Sequence, residues 1–135
     1  MSLKSIKDYF KEQCGWTDSI SIGKIDNDKD IAICFYPSKR QLVKKSRIGG
    51  KTNATYNIIP ITILLRYTKN QTLAEAKAKE IYDFFDEKSF FINQKRIFVI
   101  MQCDCPIWLG TDDKNVYEYS FEIDIYEERW EYGKN

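Results

Sequence analysis

The sequence predicts an α+β fold: a mostly antiparallel sheet of about five strands, two helices packed on it, and a projecting basic loop or hairpin arm. Three observations lead there. Two segments repeat apolar residues at spacings of three and four, the period of a helix with one buried face. Several others alternate apolar and polar residues, the period of a strand. Between them, residues 37–55 (PSKRQLVKKSRIGGKTNAT) are basic, carry Gly49-Gly50 and have only scattered apolar positions. The chain of 135 residues fits a single domain over 1–135, with the arm at 37–55, and eight Phe, nine Tyr and three Trp supply ample core material.

In chain order, Leu3, Ile6, Phe10 and Cys14 form the apolar stripe of a short helix, with Ser2 placed to cap it and Gly15 to end it. SISIGKID and DIAICFYP follow as strands, joined by the polar cluster at 26–30, and together they read as an antiparallel hairpin. After the arm, YNIIPITILLRYTKN is a third strand whose near-continuous apolar run calls for cover on both faces. Pro60 lacks a ladder donor, so this strand has a bulge there or lies at an edge. Thr72 caps a second helix, with Thr72-Leu73-Ala74-Glu75 as a capping box, an inner stripe of Ala74, Ala78, Ile81 and Phe85, and an end near Lys88. RIFVIMQC is the fourth strand and VYEYSFEIDIY the fifth. In the fifth, Tyr117, Tyr119, Phe121, Ile123 and Ile125 face one way, and Glu118, Ser120, Glu122 and Asp124 the other. A one-residue slip there would bury the acids, so the register is firmly set.

A net charge of +1 hides a strong asymmetry. Residues 31–74 hold eight bases and no acid, whereas residues 104–135 hold nine acids against three bases. Such a chain has two surfaces of opposite sign. For the arm bases Lys39, Arg40, Lys44, Lys45, Arg47 and Lys51, one reading is a solvated segment that resists edge pairing. The other is an electrostatic contact, with phosphates or with the acidic face of another copy. The acids Glu118, Glu122 and Asp124 have the matching pair of readings: they face water, or they meet the basic arm of a neighbouring subunit.

CDCPIWLGTDD, at 103–113, is the one stretch that resembles a metal or catalytic loop. Zinc sites space their cysteines two to four apart and often include histidine; here the pair is Cys-x-Cys and the chain has no histidine. Cys103 and Cys105 continue the alternation of Val99 and Met101, so they read as small groups filling the sheet face. Asp112 and Asp113 beside Gly110 read as a hairpin tip. There is no nucleophile elbow, phosphate loop or nucleotide fingerprint. The expectation is a protein without catalytic site, metal or cofactor. With no apolar signal segment and no run of 18 apolar residues, the expected setting is a cytoplasm and no membrane.

Cys105-Pro106-Ile107-Trp108-Leu109-Gly110-Thr111-Asp112, followed by the alternating VYEYSFEIDIYEE, resembles the C-terminal part of phage tail terminator and minor capsid proteins from low-GC Gram-positive hosts. The order of elements is similar too. The resemblance implies a structural protein of a phage or prophage, found in the virion and in the host cytoplasm during assembly. It implies a homomeric ring, typically of six, that caps the tail tube, stops its growth and joins it to the head. Partners would then be other copies, the tail tube and head-completion proteins. The resemblance implies a pore that passes DNA; that the basic arm touches phage DNA transiently there is our own reading of its charge. The alternatives are another head–tail connector protein, or a small nucleic-acid-binding module using the same arm.

Overall fold

The computed structural model describes residues 2–40 and 56–131, the last two of these by backbone alone. Its elements run α1 (Leu3–Cys14), β1 (Ser19–Ile22), β2 (Ile31–Pro37), β3 (Tyr56–Tyr67), α2 (Gln71–Phe85), β4 (Ser89–Ile92), β5 (Lys95–Met101), β6 (Ile107–Thr111) and β7 (Tyr117–Glu131). The strands form one sheet in the order β1-β2-β3-β7-β5-β4, with β6 also paired to β7.

This corrects the expected fold class. Strands take 46% and helices 24% of the described residues, so sheet dominates; there are seven strands among them, and the sheet is mixed and curled into a half-barrel. Each departure has a local cause. β1 and β2 are parallel, Ser19 beside Ala32 and Ile22 beside Phe35, so they are not a hairpin. Parallel neighbours usually need a crossover of a dozen or more residues. Here residues 23–30 suffice because Ile25 anchors the crossing: it is buried against Ala32 and Cys34, and its N–H donates to Tyr36 Oη at 3.1 Å. The expected fourth strand is the second half of a β4–β5 hairpin, turned by Asn93 and Gln94, both at positive φ. Finally, CDCPIWLGTDD contains a strand of its own, β6, which pairs with β7.

Both helices lie on one face of the sheet. Ser2 caps α1 by accepting the Ser5 N–H, and Gly15 closes it in the left-handed conformation at φ 63°. That φ favours glycine, which has no Cβ to clash. α2 begins earlier than the capping-box pattern indicates: Asn70 Oδ1 accepts the Leu73 N–H at 3.2 Å, so Asn70 and not Thr72 is the cap. The inner stripe of Ala74, Ala78, Ile81 and Phe85 is buried as its spacing requires. These side chains and Ile6 and Phe10 of α1 pack on Ile33, Phe35, Ile61, Ile63, Leu65, Ile97, Val99, Phe121, Ile123 and Ile125. At the centre the Phe10 and Phe85 rings stack at 5.6 Å.

β7 is the spine. It pairs with β3 along one edge, from Arg66 beside Glu118 to Tyr56 beside Glu128. Along its other edge it pairs first with β6 and then with β5. The register with β3 runs through Pro60 unshifted. Proline is tolerated because its carbonyl, which accepts the Ser38 N–H, faces β2 just where that strand ends at Pro37.

Candidate assembly surfaces

The sheet face turned away from the helices is built by the alternate residues of β2, β3 and β7. Across its middle the chain brings the start of the arm back onto the strand acids. Arg40 Nε donates to Glu122 Oε2 at 3.0 Å, and Arg40 Nη2 to Asp124 Oδ1 at 2.9 Å and to the Ile123 carbonyl at 3.0 Å. Thr62 Oγ1 donates to Glu122 Oε1 at 2.8 Å, and Ser38 Oγ to Glu122 Oε2 at 3.1 Å. Burial works against the Arg40 charge, but the hydrogen bonds and charges of Asp124 and Glu122 outweigh it and hold its pKa above the ordinary value.

A second guanidinium closes one end of this face. Arg66, only 1% exposed, donates through Nη1 to Asp112 Oδ2 at 2.6 Å and reaches Glu118 Oε2 at 3.5 Å. Its Nε donates to the Lys29 carbonyl at 3.3 Å. One side chain therefore ties the crossing before β2 to the β6–β7 turn. Asp112 is also the hub of that turn, accepting the N–H groups of Val116 and Lys114 at 2.9 Å each. Those amide donors, with Arg66, draw its pKa from 3.8 down to about 2. Asp112 thus serves the turn and the ion pair; its geometry is that of a structural carboxylate.

β6 is the third feature. Its only strand partner among the described residues is β7, and it carries the exposed apolar run Ile107, Trp108 and Leu109. Trp108 is level with core-facing Tyr119 and lines a 620 Å³ cleft against α2, together with Tyr82, Glu75 and Asp83. A bulge follows, between Trp108 and Gly110. Leu109 then turns to the opposite side, into a 370 Å³ cleft with Tyr36, Leu64 and Lys39. β5 and β6 are separated by residues 102–106, an excursion pinned to α2 where Tyr82 Oη donates to the Cys103 carbonyl at 2.6 Å. This excursion removes Cys103 and Cys105 from the sheet face that the alternation assigned them: Cys103 is half-buried and Cys105 exposed. All four cysteines are free thiols.

The residues singled out in the sequence thus separate into groups. Arg40, Glu122 and Asp124 come together within one subunit, and Glu118 joins Arg66. Lys39 is exposed at the rim of the Leu109 cleft. Lys44, Lys45, Arg47 and Lys51 lie outside the described residues. Arg66 and the β6 edge were missed. The signal for Arg66 was a lone guanidinium at the end of the apolar run ILLRY; for β6 it was an apolar triplet directly before a turn. Among the described residues no three His, Cys, Asp or Glu side chains cluster as metal ligands, and no helix is long and apolar enough to cross a membrane.

A family model described as bacteriophage tail terminator protein matches residues 11–126. No curated protein matches the chain, and no solved structure does.

Proposed function

The chain belongs to the bacteriophage tail terminator family, and from that premise we propose that copies of it close into a homomeric ring, of six, that caps the tail tube and joins it to the head. The family places the protein among the structural components of the phage tail, and hence in the virion. In this reading residues 1–135 act as one terminator domain, assembled in the host cytoplasm, whose partners are its own copies, the tube and the head-completion proteins. It works by self-association and docking, without catalysis.

The observation that carries the ring is the charge layout. The arm at 37–55 is basic throughout, and the segment 31–74 contains no acid. Arg40 at the arm's start is engaged by Glu122 and Asp124 of its own chain. The bases Lys39, Lys44, Lys45, Arg47 and Lys51 are the part of the arm assigned to a neighbouring copy or to DNA in the pore. Heterologous contacts of this sort close into rings when the rotation per copy permits.

The test reverses Lys44, Lys45 and Arg47 together to Glu and follows assembly by native mass spectrometry over a concentration series, with negative-stain imaging. The expected outcome is an unchanged monomer melting temperature with ring formation or tube joining weakened. Normal rings and normal infection by the reversed protein would sink the role given to the arm. The same bases support a second reading, DNA contact, which predicts duplex binding that weakens steeply with salt; no binding at low salt would eliminate it.

A further inference from the structure

We propose that the β6 edge of one copy pairs with the β1 edge of the next, antiparallel, so that the sheet runs on from subunit to subunit. The inference rests on the ring reading and names its junction.

Open strand edges are ordinarily guarded by lysines, prolines, inward charges or bulges. β6 (IWLGT) has no charge and no proline, its one irregularity is the bulge between Trp108 and Gly110, and Ile107, Trp108 and Leu109 are 37%, 61% and 52% exposed. At the far side of the sheet β1 (SISI) is also uncharged and among the described residues pairs only with β2, and its Ile22 is 40% exposed.

Two features identify the occupant as a second copy. The first is strand direction. β1 is parallel to β2, β2 is antiparallel to β3, and β3 and β6 are both antiparallel to β7. β6 therefore runs opposite to β1, and repeating the subunit edge to edge sets the two strands antiparallel. The second is face. Trp108 stands level with core-facing Tyr119, while Ile20 and Ile22 stand level with core-facing Ile33 and Phe35. In a continued sheet these apolar side chains share the helix-covered face. The exposed Ile22 then enters the 620 Å³ cleft that α2 leaves open beside Trp108, while Ile20 stays packed on its own core. On the other face the small Ser19 and Ser21 come against Leu109.

Trp108→Lys damages the β6 side of the junction and Ile22→Lys the β1 side; both residues are exposed enough for the fold to tolerate lysine. Each variant alone is expected to raise the concentration needed for ring formation by about tenfold or more. Mixed one to one, they should give a discrete heterodimer, because an intact β6 and an intact β1 remain, one on each partner. In wild-type rings carrying a photoreactive benzoylphenylalanine at position 108, the cross-linked peptide should contain residues 19–24 of another copy. Rings from Trp108→Lys at wild-type concentrations, or cross-links to any other segment, would overturn the junction while leaving the ring intact. Rings of the variant that no longer cap tubes would assign the edge to the tube protein instead. If the wild-type protein never self-associates, even with tubes present, the ring reading fails and the junction with it.

Discussion

β7 carries two opposite designs on one strand. Toward the helices, Tyr119, Phe121, Ile123 and Ile125 sit in an apolar core. There position matters more than partner identity, because burial is non-directional and scales with area. Away from the helices, Glu118, Glu122 and Asp124 are each matched to a guanidinium delivered from elsewhere in the chain. On that side identity and direction both matter, because a buried charge is tolerable only when paired and hydrogen-bonded. The covered face holds the fold together, and the polar face fixes which loops lie against it. Arg66 shows this most clearly: it gains nothing from area that leucine would not gain, yet it fixes the position of two turns at once.

The largest expected effect is on the covered face. Phe121→Ala, at a position with no exposure, should cost about 3–5 kcal/mol of folding stability in a denaturant titration. Arg66→Leu keeps much of the volume but strands Asp112 and Glu118, and should cost about 3 kcal/mol. Its distinguishing mark is amide exchange: protection should fall at 26–30 and 112–116 together while β3 and β7 stay protected. Uniform loss across the sheet would mean that Arg66 acts as core and not as a tie. The smallest effect is one of pH. Asp112 has a pKa lowered from 3.8 to about 2, so the stability it contributes is fully present above the ordinary carboxylate value and is lost as the pH falls from about 4 toward 2. Asp112→Asn should lower the melting temperature near pH 7, where that stability is present, and the gap to the unaltered protein should close as the pH falls from about 4 toward 2.

What could be read beforehand follows the same division. The β7 alternation, the α1 stripe with Ser2 and Gly15, and the α2 stripe were legible because burial writes itself as a local period. The parallel β1–β2 pair was not, because Ile25 looked like one apolar residue in a polar turn and its partners Ala32 and Cys34 lie across a strand. The β4–β5 turn was hidden because Asn93-Gln94 lacks the glycine that usually marks two positive-φ positions. β6 was hidden because the 102–106 excursion breaks its alternation away from β5. The Arg40 pairs could not be read at all: 82 and 84 residues separate Arg40 from Glu122 and Asp124, and charge carries no period that reveals its partner. Nor could sequence alone show that this chain's own arginines engage Glu118, Glu122 and Asp124.

The position of β7 also bears on timing. Among the described residues it is made after every other strand, yet it is the central one, bonded to β3 on one side and to β5 and β6 on the other. A ribosome must deliver the six other described strands and both described helices before the sheet can close. Until then the apolar edges of β3 and β5 stay unpaired, and most contacts form between segments distant in sequence. The nascent chain therefore has no finished β6 edge. Under the proposed junction, completion of folding and competence to join other copies arrive in the same step, when the last strand docks.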